Sequence, residues 1–262
     1  MSAHSGPDWN PGTYERFRDL RLRPALDLLA QVPDLPSGAV VDLGCGAGAA
    51  GPALKARFPL ARRIGLDASE AMLARAERTG DYDALIRGDI DEWQPDEPVA
   101  LIFSNAALHW LADHDRLLPQ LAGFLPPGGV LAVQVPGNFQ APSHALLREI
   151  AARRFPDRFS AEGYVPPVRP ARDYVAMLAP LGRVEGWETD YVQCLEPVAQ
   201  GHPVRAFTES TAMRPYLAHL TADESAAFVR DYDAALEAAY PRTADGPVLF
   251  PFRRIFFVLA RS

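Results

Sequence analysis

The amino-acid sequence predicts an α/β protein built on a parallel sheet. Three observations carry that prediction. Short β-rich runs alternate with helix-patterned segments, the first run ends in a glycine turn that opens a helix, and 262 residues, 48% of them hydrophobic, supply one large core.

Taken in order, residues 14–22 and 24–31 carry apolar side chains at helical spacing, with Pro24 expected to break the pair and to open the second helix. Ala39-Val40-Val41-Asp42-Leu43 is a strand, Gly44-Cys45-Gly46-Ala47-Gly48 a turn, and 49–58 a helix. Strands follow at 63–67, 84–88, 100–104 and 130–135, with helices at 70–79 and 116–125. Five strands joined by crossovers imply parallel pairing. Ser69 fits the N-cap of the 70–79 helix and Gly80 its stop, with Met72, Leu73 and Ala76 facing inward.

Past Val135 the alternation gives way to an irregular and helical stretch over 136–168, a helix at 171–181 and a strand at 184–195. Thr221 and Glu224 read as a capping box opening a helix that runs to Tyr240, with Phe228, Tyr232, Leu236 and Ala239 on one face. The last strand is expected at 254–260. Segments that follow parallel strands emerge where ligands bind. Residues 1–32, 137–168 and 197–247 are therefore expected to act as helical lid elements of one domain spanning 1–262, with no repeat or linker to mark a second.

Composition narrows the function. With 33 acidic against 26 basic side chains the formal charge is -7, which disfavours a nucleic-acid footprint. Lys55 is the only lysine, so the basic side chains are otherwise all arginine, a background bias. Cys45 and Cys194 form neither a disulfide framework nor a metal spacing, no apolar run approaches the roughly 18 residues of a membrane helix, and the start lacks a leader pattern. A cytoplasmic protein acting on a small molecule is expected, with no metal, nucleic-acid or membrane partner. A monomer satisfies these features, and the oligomeric state is left open.

Glycines at 44, 46 and 48 let the backbone turn sharply and let a ligand approach it. The string also satisfies a loose dinucleotide pattern through Gly44, Gly46 and Ala49, so a nicotinamide enzyme is one reading. Three acids favour another. Asp42, two residues before the loop, can brace it and face a cationic amine, where a pyrophosphate would be repelled. Asp67, ending the second strand, can accept both hydroxyls of a ribose or simply charge a helix start. Asp89, after the third strand, suits an exocyclic adenine amine, with Ile90 against the ring. Together these acids describe a nucleoside with an amino-acid tail and no phosphate, which is S-adenosylmethionine.

On these residues the chain resembles the class I S-adenosylmethionine-dependent methyltransferases. Residues 40–48 match that family's first motif, and Leu125-Pro126-Pro127-Gly128-Gly129-Val130-Leu131 its turn before strand five. The resemblance implies a Rossmann-like seven-stranded sheet, mostly parallel with an antiparallel last strand. It also implies a cofactor site of Asp42, Gly44, Cys45, Gly46, Gly48, Asp67, Ala68, Asp89, Ile90, Asn105 and His109.

A narrower resemblance, to trans-aconitate methyltransferases, runs end to end. It rests on Asp8-Trp9-Asn10-Pro11, Tyr14, Phe17, Arg23-Pro24, Asp89, Trp93-Gln94-Pro95, residues 102–111 and 132–136, Asn138, Arg214-Pro215 and Phe250-Pro251. It implies esterification of one carboxylate of trans-aconitate. The family loop often continues Gly-Pro-Gly-Asn, whereas here it is Gly46-Ala47-Gly48-Ala49, so an asparagine contact at position 49 is not implied.

Methyl transfer from a sulfonium needs collinear positioning, and a carboxylate acceptor is already ionised at neutral pH, so no general base is required. Asn105 begins Asn-Ala-Ala-Leu-His-Trp, unlike the Asn-Pro-Pro-aromatic set of nucleobase methylation, and could line the methionine part of the cofactor or merely cap its strand. His109 could bond substrate or cofactor, or only start a helix; Trp110 reads as core or pocket wall. Arg214 is the candidate for a bidentate carboxylate contact, with Asn138, Tyr14 and Trp9 as further substrate candidates. Arg253 and Arg254 flank the last strand and read as structural. Another small-molecule acceptor, or a non-catalytic cofactor-binding protein of the same fold, are the remaining readings.

Overall fold

The computed structural model describes residues 18–209 and 211–262. Its elements run α1 (Arg18–Ala30), β1 (Ala39–Leu43), α2 (Gly51–Arg57), β2 (Arg63–Asp67), α3 (Glu70–Glu77), β3 (Ala84–Arg87), β4 (Val99–Asn105), α4 (His114–Gly123) and β5 (Val130–Pro136). They continue α5 (Pro142–Arg154), α6 (Ala171–Leu178), β6 (Gly182–Leu195), α7 (Pro203–Glu209), α8 (Arg214–Leu217), α9 (Ala222–Ala239) and β7 (Val248–Arg261).

The seven strands form one sheet in the order β3-β2-β1-β4-β5-β7-β6. β1 pairs parallel with β2 and β4, β2 with β3, and β4 with β5, while β7 pairs antiparallel with β5. The order reverses between β1 and β4, and ligands of open α/β sheets bind outside the carboxyl ends at such a reversal. Val40, Val41, Leu43, Leu101, Ile102, Phe103, Leu131 and Val133 are all fully buried, as strands covered on both faces must be.

The described residues divide into two compact units, each continued by several chain segments. One comprises Arg21–Gly137, Pro167–Asp190 and Arg253–Ser262 and holds the strand ends described below. The other, helical, takes Asn138–Pro166 and Tyr191–Phe252. Its own core gathers Leu147, Ile150, Val204, Phe207, Met213, Phe228, Tyr232, Leu236 and Phe250. Tyr232 Oη donates to Ser143 O at 2.7 Å, tying α9 to the start of α5.

Several expected boundaries shift. Pro24 does not break the amino-terminal helix but lies inside α1, where the buried stripe Ala25, Leu28 and Leu29 outweighs the one lost backbone bond. α2 starts at Gly51, because the glycine turn runs on through Ala50. α4 begins earlier than expected, at His114, capped by Asp113, whose side chain accepts from Arg116 N. α6 ends at Leu178 and tightens into a 3₁₀ turn at Ala179–Leu181. β7 starts at Val248 rather than 254, its first half alternating buried and exposed with Pro251 on an exposed position, so Arg253 and Arg254 lie within the strand. The Thr221–Glu224 capping box forms as expected, and Ser69 caps α3 by accepting from Met72 N.

Candidate functional site

β1 delivers Asp42 to the sheet's ligand end almost fully buried, at 2% exposure. Its carboxylate accepts a 2.6 Å hydrogen bond from Tyr82 Oη. Burial pushes the Asp42 carboxyl up to about 7, opposed by Tyr82 and assisted by the negative charge of Asp67. Asp42 thus stands two residues before the glycine loop, held by Tyr82.

Above it the loop needs its glycines. Gly44 has φ +75°, and a β-carbon there would stand 2.2 Å from Ala107 Cβ. Gly48 has φ +80°, and its β-carbon would crowd the Tyr82 ring and Ala76. The amides of Gly44 and Cys45 both donate to Leu66 O, at 2.8 and 3.0 Å, and that of Gly46 donates to Asp67 Oδ2 at 2.9 Å. A loop whose amides turn back into the protein is a poor pyrophosphate cradle, which argues against the dinucleotide reading.

Asp67, half-buried at the end of β2, also accepts from Ser69 N through Oδ1 at 2.8 Å, so one carboxylate ties the loop to the start of α3. Each oxygen keeps further lone-pair capacity. Ala68 beside it is exposed. After β3, Asp89 is exposed and accepts from Asp91 N. Ile90 Cδ1 lies 3.7 Å from where a Gly44 β-carbon would sit, which brings this loop against the glycine turn.

At the end of β4, Asn105 Oδ1 is buried without a hydrogen-bond partner among the described residues, and Ala106 next to it holds φ +56°, a conformation costing about 1–2 kcal/mol without glycine. Asn105 stands in register with Gln134 of β5, which is fully buried with neither amide atom partnered. Orphaned buried acceptors cost about 1–3 kcal/mol each and suit a ligand that brings donors. His109 lies in a 3₁₀ turn at Leu108–Trp110; burial, then the positive charge of Arg254, holds its imidazole down to about 3. It is neutral at physiological pH.

Trp110 is 70% exposed, so the core reading of that residue is corrected: the short turn points it away from the packed interior. In the helical unit Asn138 is buried, donating Nδ2 to Pro251 O at 3.3 Å, and Arg214 opens α8, half-buried. Trp9 and Tyr14 lie outside the described residues. Arg253 pairs with Asp190 at 2.8 Å and with Glu188, in accord with a structural part. Sequence reasoning missed Tyr82, whose bond to Asp42 spans 40 residues without a local signal. It also missed Gln134, although a lone amide inside the apolar run 130–135 was a visible anomaly.

A cofactor offering an ammonium, ribose hydroxyls and an adenine amine matches this set: the Asn105 acceptor, the Asp67 carboxylate, exposed Asp89, and a turn open at Gly46, where a β-carbon would meet nothing among the described residues within 4 Å. The reversal in strand order, the glycine loop and the acids within β1, at the end of β2 and after β3 define a class I S-adenosylmethionine-dependent methyltransferase. A methyltransferase-domain family model matches residues 40–129.

The sequence is 41% identical to a trans-aconitate 2-methyltransferase of Azoarcus sp. (strain BH72), over 97% of this chain and 100% of the relative. It is 43% identical to one of Methylobacterium nodulans, over 97% and 99%. The chain belongs to this family of trans-aconitate 2-methyltransferases. Two solved structures share the fold: the YcgJ protein of Bacillus subtilis (TM-score 0.57, 16% identity, 92% of this chain and 99% of that one) and a Haemonchus contortus phosphoethanolamine N-methyltransferase (TM-score 0.51, 17%, 92% and 53%).

Proposed function

We propose that this protein transfers a methyl group from S-adenosylmethionine to one carboxylate of trans-aconitate, or of a closely related small polycarboxylate, giving a monomethyl ester. The observation that carries this reading is its full-length kinship with the trans-aconitate 2-methyltransferases. When bound, S-adenosylmethionine supplies an electrophilic methyl on a positively charged sulfur.

The protein's own residues hold and orient. Gly44, Cys45, Gly46 and Gly48 receive the amino-acid tail, Asp42 offsets its positive charge from beneath, and Asn105 Oδ1 accepts from its ammonium. Asp67 takes the ribose hydroxyls with Ala68 beside it, Asp89 takes the adenine amine, and Ile90 packs on the ring. His109 lines the methyl end as a neutral ring. Arg214, Asn138, Trp110 and, from the amino-terminal segment, Trp9 and Tyr14 serve the acceptor, with 1–32, 137–168 and 197–247 acting as lid elements of one functional domain. Because the acceptor carboxylate is already ionised near pH 7, no side chain removes a proton.

No described helix is long and apolar enough to cross a membrane. We place the protein in the cytoplasm, acting on a small anion and on neither nucleic acid nor membrane. Two measurements test the reading. S-adenosylhomocysteine raises the melting temperature while NAD leaves it unchanged, and labelled methyl appears by mass in the trans-aconitate ester. Label confined to a neutral phenol or amine overturns the substrate assignment, and a melting shift with NAD alone overturns the cofactor.

A further inference from the structure

The helical unit holds a cation that the cofactor site does not use. Arg148, in the second turn of α5, donates from one terminal nitrogen to Phe139 O at 2.7 Å and from the other to Gln140 Oε1 at 3.3 Å. Its guanidinium carbon stands 3.8 Å from the centroid of the Tyr164 ring. Two neutral acceptors and one aromatic face thus fix the plane of the fork while most of its five N–H donors stay unspent.

Other arginines of this unit hold carboxylates: Arg153 and Arg154 take Asp231, Arg158 takes Glu224, Arg205 takes Asp233 and Glu209, and Arg242 takes Glu237. Arg148 has no carboxylate partner among the described residues. Its charge instead acts on His144, Tyr164 and Tyr216. His144 lies one turn before it on α5, with Nδ1 occupied by Ser143 Oγ at 3.0 Å, and burial holds the ring down to about 4, hence neutral at pH 7.

We infer that Arg148, with His144 one turn before it and the Tyr164 ring against it, is a carboxylate-binding site for a non-reacting carboxylate of the substrate. A planar fork matches a carboxylate bidentately, and phenol and imidazole N–H or O–H donors complete its coordination without adding charge. This inference rests on the proposed polycarboxylate substrate. It assigns a second cation to an acid for which sequence reasoning found only Arg214, since one cation cannot offset two spectator carboxylates.

The test uses the full chain with saturating S-adenosylmethionine and compares wild type with Arg148→Met, Arg148→Lys and Tyr164→Phe. Arg148→Met raises the KM for trans-aconitate about 100-fold with kcat much less affected, as loss of a charged hydrogen-bonded contact predicts. Arg148→Lys restores about a tenth of wild-type kcat/KM, because charge returns without the fork. Tyr164→Phe raises KM a few-fold (about threefold). All three keep the melting-temperature rise given by S-adenosylhomocysteine.

A wild-type KM in Arg148→Met overturns the inference. So does a lowered melting temperature with unchanged KM, which marks a packing role. Should the methionine variant not fold, a wild-type KM in Arg148→Lys overturns it equally. If wild type methylates no polycarboxylate, the proposed function fails and the inference with it; if wild type and variants methylate one alike, the inference alone fails.

Discussion

The sheet-bearing unit and the helical unit hold charged groups of opposite sign by the same means, neutral partners. Asp42, Asp67 and Asp89 close or follow successive strands of the first; Asp42 is held by one phenol, and Asp67 by two backbone amides. In the second, Arg148 is held by a carbonyl, an amide and an aromatic ring while neighbouring arginines are neutralised by acids. Neutral partners fix a charged group without cancelling it, so Asp67 and Arg148 each keep their charge. Acids suit a cofactor that is cationic at sulfur and amine, and the cation suits a polyanionic acceptor.

The comparison breaks most readily at the glycine loop. Gly44→Ala puts a β-carbon 2.2 Å from Ala107 Cβ at φ +75°, so we expect stability to fall by about 2–4 kcal/mol in denaturant unfolding. The melting response to S-adenosylhomocysteine should vanish with it. An unchanged response would show that the loop does not receive the cofactor.

Asp42 offers the next largest effect, through pH. Its carboxyl lies at about 7 in the folded protein against an ordinary 3.8, so between those limits the unfolded chain releases a proton that the native state keeps. Its stability contribution is complete below about pH 4 and is lost as pH rises through 7, at up to about 1.4 kcal/mol per pH unit. Asp42→Asn, which can still accept from Tyr82, should flatten that decline. It should also remove a rise in cofactor affinity as pH passes 7, measured by calorimetry.

Asp67→Asn leaves one oxygen where two backbone amides now donate, and we expect about a tenfold rise in the KM for S-adenosylmethionine from a loss near 1–1.5 kcal/mol. Thr221→Ala is the smallest and the control for the other unit. It removes the α9 capping box, costing about 1 kcal/mol by thermal unfolding while leaving cofactor affinity unchanged.

Much of the sheet-bearing unit was legible because its strands are continuous apolar runs closed by glycine or acid, and parallel crossovers force those acids to one end. Asp42, Asp67 and Asp89 could thus be read off strand ends alone. The first half of β7 was not legible, since Pro251 interrupts the run and every second residue faces outward. Pro24 misled for the opposite reason: local propensity gave way to the packing of Leu28 and Leu29. Tyr82 stayed hidden because its partner is distant in sequence. Arg148 stayed hidden because, in the run 142–154, nothing local separates it from Arg153 and Arg154; only the lack of a carboxylate partner among the described residues does.

The most direct measurement is a competition for labelled methyl between trans-aconitate and the same molecule with two carboxylates already esterified, resolved by mass. Opposite charges held for two ligands predict that the free acid is methylated at least about 100-fold faster, set by KM. Equal rates on the two compounds would contradict it, because the acceptor would then be recognised without its charge.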